Sequence, residues 1–345
     1  MKTVESRGMV PVREAIRWGA SLLREAGIGR EDAAGEPADG GCAAGGLVAG
    51  EAAARETAAR EAAAREAAVL LSHCTGHSVA GLYTSLDGIP ADAMARYRVA
   101  IERRRAREPL QYITGVQEFM SLEFRVNQSV LIPRPETEIL VETVVEFLRG
   151  WRDEGPARDL PRFADAGTGS GAIAVSVAKY AGCGGYGLDA SGDALDVARL
   201  NARLHGVGDR LEFLEGDLLE PLARLVKAGR GEAAALDCVV SNPPYIPRGE
   251  YERLQPEVRE FEPRIALLCD DVSEFYRRLA RQAACFLRPG GLLAVEVGYN
   301  QADSVERVFA ASGLYGAVRR KEDLRGIGRV VYCNLEQSLD WSSVG

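Results

Sequence analysis

Residues 165–178 read DAGTGSGAIAVSVA, and the three glycines in this stretch decide the fold. Gly167, Gly169 and Gly171 stand just after a short apolar run and just before an alanine- and valine-rich helical pattern. Glycine lets the backbone approach a ligand closely, and a helix that begins there offers it unpaired amide groups. Around this loop, short apolar runs alternate with helical patterns: RFADAG, GGYGLDAS, LEFLEGD, LDCVVSNPP and LLAVEVG. That alternation predicts a parallel α/β sheet with helices on both faces. The closing pair, GAVRR and RVVYCNL, leaves no room for a helix between its strands, so an antiparallel hairpin is expected at the sheet edge. Glycine-rich strand-to-helix turns also bind dinucleotides or simply make tight connections, and two aspartates sharpen the assignment. Asp189 ends the next strand about 20 residues on, where a carboxylate can accept both hydroxyls of a ribose. Asp217 ends the third strand, where it could reach an adenine amino group. Either aspartate alone is more often a helix cap or turn residue. Together with the glycines they describe a nucleoside pocket, and spacing does not separate NAD from S-adenosylmethionine.

The chain has 345 residues and 46% hydrophobic content, enough for one large domain and a smaller one. Its net charge of −8 argues against a surface that holds nucleic acid chiefly through phosphates. Seven cysteines form no CxxC pair, and the odd count suits reduced thiols in a cytosol. No apolar run approaches membrane-spanning length and the amino terminus lacks a signal-peptide core, so a soluble cytoplasmic protein is expected.

Ahead of the sheet, Val12, Ile16, Leu22 and Leu23 predict an amphipathic helix ending near Gly27, with further helices at about 67–72 and 91–106. Residues 1–108 are expected to form a small helical domain, 109–136 a hairpin linker, and 137–345 the large domain. Residues 31–66 look like an insert: a Gly/Ala-rich stretch too poor in large side chains to pack, then EAAARETAAREAAARE. Glu51 and Arg55, Glu56 and Arg60, and Glu61 and Arg65 are each in the favourable i,i+4 order, which predicts a solvated, semi-rigid helix.

The series DAGTGSG, GLDAS, EGD and NPPY resembles the motifs of Rossmann-like, class I methyltransferases, which use S-adenosylmethionine. That resemblance implies a seven-stranded, mostly parallel sheet with an antiparallel last strand, in agreement with the terminal hairpin. NPPY, residues 242–245, would then lie at the end of the fourth strand beside the cofactor pocket. The prolines cannot donate ladder hydrogen bonds and restrict the residues before them, which makes a rigid corner. An amide nitrogen is a poor nucleophile because its lone pair is delocalised, so it needs orientation more than proton removal. The Asn242 side-chain oxygen and the Pro243 carbonyl could accept the two N–H groups of a planar NH2. Pro244 would keep the acceptors rigid, and Tyr245 could stack on the flat group or sit near the sulfonium. Aligned reactants save roughly 7 to 11 kcal/mol of barrier, and no general base is required. The bland alternative is a Pro-Pro strand terminator with an Asn turn.

NPPY alone resembles both nucleic-acid amine methyltransferases and protein-glutamine methyltransferases. Residues 108–142, FEPRIALL from Phe261 and DLRGIGRVV from Asp323 resemble the release-factor glutamine methyltransferases, the HemK-like family, over most of 67–335. This implies methyl transfer to the glutamine of the GGQ loop in class I peptide chain release factors, with the small helical domain helping to hold that partner. By motif position, Gly167, Thr168, Gly169, Ser170 and Gly171 line the cofactor, Asp189 holds its ribose, and Asn242 to Tyr245 hold the substrate amide. Asp217, Leu218 and Asn242 complete the cofactor set, although some relatives carry an aromatic residue at the place of Leu218. Phe119 and the IPRPE turn around Arg134 would wall the same pocket, with core packing and a surface ion pair as their bland alternatives. The family pattern does not predict the insert at 31–66.

SHCTGH places His73, Cys74 and His77 close together, two of them at i,i+4, but no fourth ligand of matching spacing follows and no metal is expected. RRRAR at 103–107 reads as a solvated or dipole-complementing charge run, with a role in partner contact as the alternative. Two competing functions stay open: methylation of a ribosomal-protein glutamine or a nucleic-acid amine, and non-catalytic cofactor binding. A nucleic-acid enzyme would bring a basic recognition domain, which the chain lacks.

Overall fold

A computed structural model describes residues 9–29, 49–84, 87–153, 160–230 and 235–343. The chain divides into two compact units between Thr114 and Gly115.

The first unit is helical: α1 Val12–Glu25, α2 Ala49–Thr75, α3 Val79–Thr84, α4 Ala91–Arg105 and α5 Leu110–Thr114. Its core is built from Leu23, Ile28, Leu70, Leu71, Leu82, Tyr97 and Ile101. The alanine-rich stretch expected to be solvated is the first part of α2, and it packs. Ala59, Ala62, Ala63 and Ala67 recur at helical spacing and are all buried, because small side chains let a neighbouring helix approach. Glu56 accepts from Arg60 at 3.3 Å as expected and also faces Arg24 at 3.6 Å, tying α2 to α1. Residues 31–48, the remainder of the predicted insert, lie outside the described residues. Within the RRRAR run, Arg104 alone is buried, whereas Arg103 stays exposed. Arg104 (8% exposed side chain) is paired with Glu66 at 2.6 Å, and Arg103 is paired with Glu108 at 2.6 Å. The zinc-like cluster does not converge: Cys74 is buried in the core, His73 is exposed, and Nδ1 of His77 faces the Thr75 carbonyl at 3.0 Å.

The second unit opens with a hairpin, β1 Val116–Phe119 and β2 Leu122–Arg125, then α6 Thr137–Asp153. Strands and helices then alternate as β3 Arg162–Ala166, α7 Ala172–Ala181, β4 Gly184–Asp189, α8 Gly192–Leu204, β5 Leu211–Glu215, α9 Glu220–Lys227 and β6 Leu236–Ser241. The chain finishes with α10 Pro256–Phe261, α11 Val272–Phe286, β7 Leu287–Glu296, α12 Ala302–Ala311, β8 Arg319–Glu322 and β9 Gly328–Asn334. The seven-stranded sheet has the order β5-β4-β3-β6-β7-β9-β8. β3 to β7 are parallel, and β9 runs antiparallel to both its neighbours. The predicted fold is therefore found, with the hairpin β8–β9 at the edge.

Every residue of β6 is buried, because helices cover both faces of the sheet. Successive strand residues feed opposite layers. Val239, Leu293 and Val295 join Tyr276, Leu279 and Phe309 on one face, whereas Val240, Leu292 and Ala294 join Leu140, Val144 and Val175 on the other. Where the order reverses, β3 lies between β4 and β6, and a parallel sheet opens a crevice at the carboxyl ends of its strands there. Among the described residues, no helix is long and apolar enough to cross a membrane.

Candidate active site

The glycine loop occupies that crevice. Gly167, Gly169 and Gly171 all have positive φ, of 77°, 53° and 78°, which β-carbon-bearing residues rarely adopt. Gly171 begins α7, where an added Cβ would stand 3.1 Å from the backbone of Ala198. Beneath the loop lies Asp165, fully buried and not singled out from the sequence. Its Oδ2 accepts from the Thr168 hydroxyl at 2.6 Å and from the Ala174 amide at 3.1 Å. Burial raises its carboxyl to about 7 against those two bonds, with the Asp189 charge adding to the rise.

A pocket of about 240 Å3 opens above the loop, and it brings together Gly167, Gly169, Asp189, Asp217, Leu218, Asn242, Pro243 and Pro244. Ser129, Val130 and Leu131, just ahead of IPRPE, form part of its wall. Asp189 accepts the Gly169 amide on Oδ2 and the Ser191 amide on Oδ1, both at 2.9 Å. Burial raises its pKa and these backbone donors oppose the rise. Each oxygen keeps acceptor capacity, so the carboxylate suits a vicinal diol. Asp217, expected at an adenine amino group, is ion-paired with the guanidinium of Arg278 on α11. Leu218 follows with φ +47° and only 8% exposure. Phe275, also from α11, is an aromatic residue among those that line the pocket.

Several predicted site residues lie elsewhere. Thr168 (5% exposed) supports the loop from below, and Ser170 is buried with its carbonyl accepting from Asn201 Nδ2 at 2.8 Å. Phe119 does not wall the pocket: it is 1% exposed and packs edge-on against Phe124, in the layer with Leu140 and Val144. The β1–β2 hairpin turns that ring inward because it is the only large apolar side chain β1 has to bury. Arg134 does form an ion pair, but with a buried partner: Glu262 of FEPRIALL (1% exposed side chain) lies 2.5 Å away and also accepts the Ile132 amide at 3.3 Å. Burial raises the Glu262 pKa, and Arg134 opposes the rise. Arg134→Ala should therefore destabilise the protein by about 3 kcal/mol in urea unfolding, since it strands a buried carboxylate. Adding Glu262→Gln should restore part of the loss.

The NPPY corner is held from four directions. Ser241 Oγ donates to the Ala166 carbonyl at 2.6 Å, fixing β6 to β3. Asn242 Nδ2 donates to the Thr137 hydroxyl at 3.1 Å, which leaves Oδ1 as the acceptor end of the amide. Gln301 Nε2 donates to the Tyr245 carbonyl at 2.9 Å. Beyond Tyr245, Ile246 makes a parallel bridge to Leu268. Tyr245 is not among the residues that line the pocket, and its hydroxyl lies 3.5 Å from Glu296 Oε1. Glu296 ends β7 at 3% exposure, and burial raises its carboxyl to about 7. Thr137, Arg329 and Tyr245 favour its charged form and Glu136 opposes it. Burial likewise raises the Tyr245 phenol, which stays protonated. The sequence does not single out Thr137, Glu296 or Gln301; for the last two the run EVGYNQ at the end of a strand is the available signal, and Thr137 has none.

Residues 50–115 match the family model described as PrmC N-terminal domain, and 162–256 match the one described as RNA cap guanine-N2 methyltransferase. The first match begins at residue 50 and so includes 50–66, the second half of the expected insert. The release factor glutamine methyltransferase of Nitratidesulfovibrio vulgaris is 44% identical over 67% of this chain and 74% of its own length. That of Geobacter sulfurreducens is 42% identical over 76% of this chain and 86% of its own. Among solved structures, a methyltransferase from Pyrococcus furiosus is 16% identical at a TM-score of 0.44, over 70% of this chain and 99% of that one.

Proposed function

The chain belongs to the release factor glutamine methyltransferases, and from that premise we propose that its Asn242–Tyr245 corner presents a release-factor glutamine to the methyl donor. It is a protein-glutamine methyltransferase that uses S-adenosylmethionine. When bound, that cofactor supplies an electrophilic methyl group. The residues of the crevice suit it: Asp189 offers two neighbouring acceptors for a ribose, the glycine loop gives room for the amino-acid end, and Leu218, Phe275 and Ile265 offer apolar surface to adenine.

The substrate we propose is the glutamine of the GGQ loop of class I peptide chain release factors, met in the cytoplasm. The supporting observation is the direction of the Asn242 amide. Because Nδ2 donates to Thr137, Oδ1 can accept one N–H of the glutamine NH2 while the Pro243 carbonyl accepts the other. With both protons engaged in the amide plane, the nitrogen meets the methyl group with its out-of-plane electron density. Holding that geometry is the catalytic contribution, and the surplus proton leaves after transfer. Tyr245 lies behind the corner with its hydroxyl on Glu296, a bracing role in place of the stacking first considered. A nucleic-acid amine has the same planar NH2, and the match over 162–256 covers machinery common to both substrates. The match over 50–115 and the relatives' shared length favour the protein substrate.

Mass spectrometry of a purified class I release factor, incubated with this protein and S-adenosylmethionine, tests the proposal. One added methyl on the GGQ glutamine supports it. An unmodified glutamine with the cofactor demonstrably bound overturns it and turns attention to ribosomal proteins.

A further inference from the structure

We infer that Tyr299 and Leu324 form an apolar rim beside the NPPY corner that docks the release-factor chain flanking the target glutamine, an inference that rests on the function proposed above. Leu324 is fully exposed, at 108% of its reference area. It does not ride on a loose loop. The Asp323 amide donates to the Ile327 carbonyl at 2.8 Å and the Gly326 amide to the Asp323 carbonyl at 2.9 Å. The Asp323 side chain accepts from the amides of Arg325 and Ile327 at 2.9 and 3.1 Å, and from Arg329 Nε at 2.9 Å. A turn so thoroughly bonded holds its leucine in water, where it contributes nothing to the core.

The sheet puts this turn beside the carboxyl end of β7, which adjoins the NPPY corner through Glu296 and Tyr245. β9 begins just after it and runs antiparallel to β7, with Val330 opposite Glu296 and the Val297 amide donating to the Arg329 carbonyl at 2.9 Å. The same end of β7 leads into Gly298–Gln301, which touches the catalytic corner. A Cβ on Gly298 would lie 3.0 Å from Cδ2 of Tyr245, and Gln301 bonds the Tyr245 carbonyl. Tyr299, 51% exposed, stands between those two contacts. The substrate is a polypeptide whose glutamine must reach Asn242, so the residues beside that glutamine pass this rim. Exposed aromatic and aliphatic anchors on rigid elements are what such an encounter uses.

The test is steady-state methylation of intact release factor by Leu324→Asp and Tyr299→Ala, with Leu200→Asp as a control at an exposed leucine on α8. Docking predicts KM for release factor raised about ten-fold or more in each rim variant, with S-adenosylmethionine affinity by calorimetry as in the wild type and no change in the control. A KM within about two-fold of wild type overturns the inference. So does an equal rise in Leu200→Asp, or a change in oligomeric state that accounts for the effect. If the wild type leaves release factor unmethylated, the proposed substrate fails, and that result is distinct from failure of the rim.

Discussion

Asn242→Ala should lower kcat/KM for release-factor methylation about 10²- to 10³-fold, while S-adenosylmethionine binds within a few-fold of wild type. The substitution removes the proposed acceptor but leaves Asp189, the glycine loop and the pocket's apolar wall in place. Its second effect is on Thr137, whose hydroxyl loses the Nδ2 donor at 3.1 Å. Asn242→Asp separates the two: a carboxylate can still accept from the substrate but cannot donate to Thr137. If Asn242→Asp retained full activity, the orientation of the amide would not be what matters. Isothermal titration with cofactor, alongside single-turnover rates, decides between a lost acceptor and a lost fold.

Glu296→Gln should make the protein slower and, above neutral pH, more stable. The Glu296 carboxyl is raised to about 7 in the folded protein, above its ordinary value of 4.5, chiefly by burial. Between those values the unfolded chain has released a proton that the folded state retains, so stability falls as pH rises through the window. Glutamine carries no such cost. The stability difference between variant and wild type should be small at pH 4 and grow to on the order of 2–3 kcal/mol by pH 8. Asp165, also raised to about 7, has the same sign but is present in both proteins and cancels in the difference. The rate should move the other way. Ionised Glu296 accepts from the Tyr245 hydroxyl and favours the arrangement of Thr137 that receives Asn242. The wild-type kcat should rise with pH through about 7, and Glu296→Gln should lose that inflection along with about ten-fold in kcat. A flat wild-type profile over pH 6–8.5, with chemistry rate-limiting, would remove Glu296 from the account.

The fold was legible because its signals are local. Glycines at 167, 169 and 171, the strand-ending Asp189 and the prolines at 243 and 244 announce their geometry within a few residues. What supports them was not legible, because its partners are remote in sequence: Thr137 meets Asn242 across 105 positions and Glu296 meets Tyr245 across 51. Phe119 was misassigned for a related reason. An aromatic next to a motif looks like a pocket wall until the hairpin that carries it is seen to face the core. The alanine-rich helix misled in the opposite sense, since composition suggests a solvated rod whereas the spacing of Ala59, Ala62, Ala63 and Ala67 makes a flat packing stripe.

β9 follows β7 and β8 in the chain, yet it is an interior member of the sheet, inserted between them. During synthesis the edge of the nascent sheet is therefore β7, with its hydrogen-bonding groups unpaired until residues 328–334 arrive. The segment between them, including β8, must wait in solution for its neighbour. Long-range pairing of this kind is intrinsically slow and leaves an adhesive edge open meanwhile. Arg329, which acts on Glu296 and Tyr245, arrives on the same strand. Completion of the sheet thus also completes the charge surroundings of Glu296 and Tyr245.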